Sequence, residues 1–214
     1  MRAAALLVVA ACWGASAEEP NRLTLQERKE GYVLLFNGRN LDGWEGDRAL
    51  WSVRNGAIVG SSDGHPIKQN TFLIYKQPYS DFLLTVDVRL RNGNSGVQFR
   101  SRVLADFVVA GYQADFSDAA ERSAWGNFYE EKGRGRGVMK TPDQGWQIGR
   151  QVARIREWNQ WEILAQGKRI RLRLNGVVTI DTEDDQASSG VIAIQLHAGE
   201  PMRVECRNIK IKPL

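Results

Sequence analysis

The stretch from Val191 to Leu214, VIAIQLHAGEPMRVECRNIKIKPL, constrains the fold more than any other part of the chain. Successive side chains of a β-strand point to opposite faces, so Ile192, Ile194 and Leu196 share one face and Val191, Ala193, Gln195 and His197 the other. The first set is apolar and belongs in a core. The second ends in a glutamine and one of only two histidines. Such a strand needs a sheet with one dry face and one face that holds polar groups.

The same parity recurs upstream. Phe82, Leu84, Val86, Val88 and Leu90 oppose Thr85, Asp87 and Arg89. Val97 and Phe99 oppose Gln98, Arg100 and Arg102. Tyr112, Ala114 and Phe116 oppose Gln113 and Asp115, and Ile170, Leu172 and Leu174 oppose Arg171 and Arg173. A solvated antiparallel sheet shows this alternation, which suits Arg171 and Arg173. Solvated faces usually carry Lys, Glu and Thr. The shorter hydrogen-bonding groups Gln98, Gln113, Asp115 and Gln195, with Arg100 and His197, point instead to a concave, partly enclosed surface.

Short strands are expected at 32–36, 51–54, 57–60, 71–75, 81–91, 95–102, 111–116, 158–166, 169–174, 177–181, 190–197 and 202–212. Gly, Asn and Asp between them mark turns, as in a β-sandwich. Asn55-Gly56 and Asn175-Gly176 tolerate the positive φ of tight hairpins. No long stretch has helical period, and there is no internal repeat.

The ends and the charge narrow the function classes. Met1-Arg2, an apolar run from Ala3 to Ala11 and Ala15-Ser16-Ala17 read as a secretory signal peptide cleaved after Ala17. Val9-Ala10-Ala11-Cys12 gives a second reading, a lipoprotein anchored through Cys12. Removing residues 1–17 from the 214 leaves 197, enough for one full core. Residues 18–30 read as a polar arm, with a capping box at Thr24 and Glu27, and 31–214 as one domain. Cys206 alone remains in the mature chain, which excludes an internal disulfide and suits a small buried hydrophobe. The net charge of +4 is mild and scattered, so a nucleic-acid partner is not expected. The densest basic run, Lys132 to Gly137, reads as a solvated loop. The leader is too short for a membrane span. His65 sits in a turn-rich, solvent-facing segment.

Seven segments follow one another in a recognisable order: GYVLLFNGRNLDGW (31–44), WSVRNGAIVG (51–60), YSDFLLTVDVRLRNGNSGVQFRS (79–101), GYQADF (111–116), WGNFYEEKGRG (125–135), EWNQWEILAQGKRIRLRLNG (157–176) and IAIQLHAGEPMRVECRNIKIK (192–212). They closely resemble the DUF1080 family, also described as 3-keto-disaccharide hydrolases. The resemblance implies an all-β, two-sheet antiparallel jelly-roll sandwich of the concanavalin A-like, glucanase-like kind. It implies an exported bacterial enzyme, periplasmic or secreted, whose substrate is a glycoside with a ketone at C3. A base would take the acidified C2 proton, the C1 substituent would leave, and water addition would complete a net hydrolysis. A sugar 3-dehydrogenase would have to supply the ketone.

That chemistry needs a base, a donor for the enolate oxygen and an acid for the leaving oxygen. His197 suits the base role. Asp115 could replace it or orient it, or could simply pair with Arg100. Arg100 suits the enolate, and Glu130 suits an acid or base acting from a loop. Gln98, Gln113 and Gln195 would hold sugar hydroxyls, Asn94 would shape the rim, and Tyr129 and Trp125 would stack on a ring. The other tryptophans of the mature chain read as core or loop anchors. No cofactor is expected, although one His, one Asp and one Glu leave room for a divalent metal. Two rivals stand beside this reading: a two-carboxylate glycosidase using Asp115 and Glu130, and a lectin-like sandwich that only binds carbohydrate.

Overall fold

The structure, a computed structural model, describes residues 19–118, 124–134, 137–138 and 145–214. The expected signal peptide and Cys12 lie outside these residues, as do Gly135 and Arg136 of the basic run. A short helix α1 (Leu25–Lys29) comes first, and its capping box is complete: Glu27 N–H donates to Thr24 Oγ1 and Thr24 N–H to Glu27 Oε2. The strands follow as β1 (Val33–Leu34), β2 (Trp44–Glu45), β3 (Trp51–Arg54), β4 (Ala57–Ser61), β5 (Thr71–Tyr79), β6 (Phe82–Asn92), β7 (Asn94–Val103), β8 (Val109–Ser117), β9 (Asn127–Glu131) and β10 (Gly137–Val138). Helix α2 (Gly145–Val152) precedes β11 (Asn159–Gln166), β12 (Arg169–Leu174), β13 (Val177–Glu183), β14 (Gly190–Leu196) and β15 (Arg203–Pro213).

The strands form two antiparallel sheets. The first runs β13-β12-β11-β6-β15-β4-β3, with β1 also on β15; the second runs β10-β9-β8-β7-β14-β5-β2. The chain passes between sheets from β1 to β2, β2 to β3, β4 to β5, β5 to β6, β6 to β7, β10 to β11, β13 to β14 and β14 to β15, so neither sheet folds alone. This is the two-sheet jelly-roll sandwich that the resemblance implied. The core between the sheets takes the apolar parity sets as expected: Phe82 to Leu90 of β6, Val97 and Phe99 of β7, Tyr112 to Phe116 of β8, Ile170 to Leu174 of β12 and Ile192 to Leu196 of β14. Cys206 is buried among them. Both Asn-Gly pairs have positive φ at each residue, which matches the right-handed twist of the flanking strands.

Each strand expected from alternation is present. Four elements were not expected: β2, β9, β10 and α2. Helix α2 carries Gly145 and Gly149, which weaken helical propensity and hide it from a pattern search. The same glycines explain its packing. A Cβ at Gly149 would lie 1.8 Å from the Trp125 carbonyl oxygen, and one at Gly145 would lie 2.3 Å from that of Gly126. The helix backbone therefore rests directly on residues 125–126.

Candidate functional site

The site grows from the face of the second sheet that looks away from the core. Pairing aligns Ala193 with Gln98 and Gln98 with Gln113, and aligns Gly96 with Asp115. On β9, Tyr129 stands opposite Gln113 and Glu131 opposite Gly111. A Cβ at Gly96 would come within 2.2 Å of the Gln113 side chain. The missing side chain lets the Gln113 amide lie across β7.

From there it joins a directed hydrogen-bond chain. Ser101 Oγ donates to Gln98 Oε1 (2.6 Å), and Gln98 Nε2 donates to Gln113 Oε1 (2.6 Å). Gln113 Nε2 donates to Asp115 Oδ1 (3.0 Å) and to Gln195 Oε1 (3.4 Å). Gln195 Nε2 donates to Glu131 Oε2 (3.2 Å). Asn70 Nδ2 reaches both Glu131 oxygens, while its own oxygen accepts the Ala198 N–H (2.9 Å). The donor ends of the amides thus converge on two carboxylates. Gln195 and Glu131 sit on strands three apart, roughly 14 Å in a flat sheet at about 4.8 Å per strand. Their contact requires a sheet that curls over this face, so the face is concave.

Asp115 is 5% exposed and Glu131 4%. Among the described residues neither makes an ion pair. Burial pushes the Asp115 carboxyl up to about 7, and the Glu131 charge adds to the rise; the hydrogen bonds from Gln113 and from the Phe116 backbone oppose it. Asp115 therefore exchanges a proton near neutral pH. Tyr129, half-buried on the same face, is raised by burial and by both carboxylates and keeps its proton.

The structure brings Gln98, Gln113, Asp115 and Gln195 together as their parity predicts, and β9 sets Tyr129 opposite Gln113 on the same face. Asn94 begins β7 on the same face, opposite Ser117. His197 falls just past the end of β14. Its ring is exposed, with Nδ1 2.6 Å from the Ala198 oxygen, so it stands on the rim beside the anchored Ala198 rather than inside the amide chain.

Three expected site residues lie elsewhere. Arg100 has φ of +47° at a bulge between Phe99 and Arg102. The extra residue turns its side chain away from Gln98 and hands the site face to Ser101. Its buried guanidinium bonds the carbonyls of Ser80, Gly167 and Ala187 and the Asp81 carboxylate, so it has no free edge for an enolate. Glu130 points to the opposite face of β9 from Asp115, bound to Arg134, which also pairs with Asp184; Tyr112 donates to Asp184. Trp125 is buried and stacked on Phe116 at 4.9 Å, which leaves no open face for a sugar. Glu131, Asn70 and Ser101 were missed. Parity within Tyr129-Glu130-Glu131 would have found Glu131 had the segment been read as a strand. Among the described residues no three His, Cys, Asp or Glu side chains are placed to hold a metal ion.

Comparison with solved structures gives the same architecture. A glycosyl-hydrolase candidate from Parabacteroides distasonis is 22% identical and covers 92% of this chain and all of its own, with a TM-score of 0.67. Carbohydrate-binding module CBM66 from Bacillus subtilis is 19% identical over 78% of this chain and 94% of its own, with a TM-score of 0.58. A galectin-like protein of unknown function from Bacillus subtilis is 13% identical over 80% of this chain and 89% of its own, with a TM-score of 0.57. No protein with a curated description matches the chain. At the level of sequence, the family pattern of the 3-keto-alpha-glucoside-1,2-lyase-like domain matches residues 31–212, and the chain belongs to that family.

Proposed function

We propose that the chain cleaves glycosides whose sugar ring carries a ketone at C3, with Asp115 as the base that removes the C2 proton. One feature supports this reading above the others: a buried carboxylate that burial pushes up to about 7, beside a second carboxylate, with amides at hand and, among the described residues, no cation paired to either. A base poised near the working pH is the most effective proton acceptor.

The C3 ketone acidifies the C2–H bond because the electron pair left on C2 spreads onto the C3 oxygen as an enolate. Asp115 takes the proton. The pair then forms the C1–C2 double bond as the C1–O bond breaks, and the leaving oxygen takes a proton. His197, on the rim, is the group proposed to deliver it. The protonated Tyr129 hydroxyl can donate to the enolate oxygen. Gln98 and Gln195 each keep a spare N–H and a spare lone pair beyond the chain, and Gln113 keeps a spare lone pair, so sugar hydroxyls can bind without breaking it. Addition of water to the enone would complete a net hydrolysis. The substrate's ketone requires a sugar 3-dehydrogenase upstream, and the leader-like residues 1–17 suggest that both work outside the cytoplasm.

The test is turnover of a 3-keto-glucoside against the matching unoxidised glucoside, with and without deuterium at C2. We expect cleavage of the keto compound alone, slowed by deuterium where proton removal limits the rate. Cleavage of the plain glucoside would overturn the reading in favour of a two-carboxylate mechanism. A second reading has its own support: the amide chain is internally satisfied, and the fold is shared with a carbohydrate-binding module. Sugar binding with no turnover of either compound would select it.

A further inference from the structure

The outer face of the first sheet holds a second polar assembly, and its chemistry is of the opposite sign. Arg89 and Arg91 of β6, Arg203 and Glu205 of β15, and Arg156 from the loop before β11 line a cavity of about 260 Å³. Glu205 is buried and acts as the hub. One of its oxygens takes Arg89 and the other takes Arg203, the latter at 2.6 Å. Trp158 adds a second restraint, because the Arg89 guanidinium carbon lies 4.7 Å from its ring centroid. Two guanidiniums are thus fixed in place before any ligand arrives.

The charges do not cancel. Asp63 neutralises Arg91 through two hydrogen bonds of 2.6 and 2.7 Å. Glu205 must serve both Arg89 and Arg203. Among the described residues Arg156 has no ion-pair partner, and Arg203 leaves its Nε–H buried without an acceptor. Four guanidiniums therefore face two carboxylates. Donors reach the cavity from two strands and a loop. One guanidinium fork satisfies a planar carboxylate, whereas a tetrahedral oxoanion offers oxygens in several directions at once.

We propose that this cavity binds a tetrahedral oxoanion, the phosphate or sulfate group of a ligand, between Arg156, Arg203 and Arg89. The site lies on the opposite sheet from Asp115, so it stands or falls independently of the sugar reading.

Titration calorimetry of the full chain with sodium phosphate and sodium sulfate, at ionic strength held constant with chloride, tests it. We expect saturable binding of one anion per chain. Arg156→Ala removes a side chain with no ion-pair partner among the described residues and should leave the fold intact while weakening binding at least tenfold. Arg203→Ala should do the same, and Arg169→Ala, on β12, should change binding less than twofold. Heat that chloride reproduces, or affinity that survives both Arg156→Ala and Arg203→Ala, would overturn the proposal. Vesicles then identify the source of the group. Retention on phosphatidylglycerol but not phosphatidylcholine, competed by inorganic phosphate and lost in Arg156→Ala, assigns it to a lipid headgroup. Phosphate binding without vesicle retention assigns it to a soluble ester.

Discussion

Asp87 and Arg89 stand on the face of β6 that looks away from the core, and Gln113 and Asp115 stand on the corresponding face of β8. The parity is the same and the physics is not. On the first sheet the charges are paired across neighbouring strands. Arg89 is opposite Glu205, Arg207 opposite Asp87 and Arg173 opposite Glu162, and each pair is an ion pair with part of its surface in water. On the second sheet the strands β7, β8 and β14 are buried on both faces, and two carboxylates lie under amides with no counter-charge among the described residues. Exposed pairs contribute little to stability and are screened by salt. Buried carboxylates without a cation cost stability unless they take up a proton. Buried carboxylates held without a cation mark where proton-transfer chemistry is expected.

The largest effect expected from this contrast is on turnover. Asp115→Asn keeps the shape and one acceptor but cannot take a proton, so kcat/KM on a 3-keto-glucoside should fall by about 100- to 10,000-fold. Steady-state kinetics with sugar binding measured in parallel would check it. Wild-type activity in Asp115→Asn would reduce the second face to a buried scaffold and move the base role to Glu131 or His197.

Next comes the pH dependence of stability. The Asp115 carboxyl rises from an ordinary 3.8 in the unfolded chain to about 7 in the fold. Between these values the native state holds a proton that the unfolded state has released. Stability from this group is therefore fully present below about pH 4 and is lost as pH rises through about 7. At roughly 1.4 kcal/mol per pH unit the loss has an upper bound of about 4 kcal/mol. Urea titrations from about pH 4 to 8 should show it in the wild type and not in Asp115→Asn. Equal profiles for the two proteins would mean that Asp115 is ionised throughout.

A smaller loss should follow from the amide chain itself. Gln113→Leu fills the space above Gly96 but leaves Gln98 without an acceptor and Asp115 without its side-chain donor. Each stranded group costs about 1–3 kcal/mol, so the midpoint of chemical denaturation should drop clearly at neutral pH. No change would show that the chain forms too weakly to organise the face.

These expectations also show what alternation can and cannot reveal. The hairpins at Asn55-Gly56 and Asn175-Gly176, the core faces, and the gathering of Gln98, Gln113, Asp115 and Gln195 follow from local pattern, because period-2 parity survives wherever the ladder is regular. Arg100 fails for a definite reason: one bulge residue shifts the parity behind it, and φ at Arg100 is not written in its identity. Close approach shows where the bulge fits, since a Cβ at Gly190 would lie 2.4 Å from the Arg100 carbonyl carbon and one at Gly111 would lie 2.6 Å from Ser101 Oγ. Those contacts join residues 10 to 90 positions apart in the chain, beyond the reach of any local window. Asn70 was invisible for a similar reason, because the fold brings it to Glu131 and Ala198 from a loop that the pattern does not link.

The smallest expected effect lies on the first sheet, and it is the one that can break the comparison from the other side. Glu162 and Arg173 face each other across β11 and β12 at 3.2 Å, with both side chains partly exposed. Water screens the pair, and two long side chains lose rotamer freedom to form it. Glu162→Gln keeps the shape and removes the charge, so it should lower stability by about 0.2–1 kcal/mol, and less as salt is raised. Denaturation at low and high ionic strength would measure both numbers. A salt-independent loss above about 2 kcal/mol would exceed what an exposed pair supplies. The outer face of the first sheet would then also hold charge at a cost, and burial alone would no longer single out the face that carries Asp115.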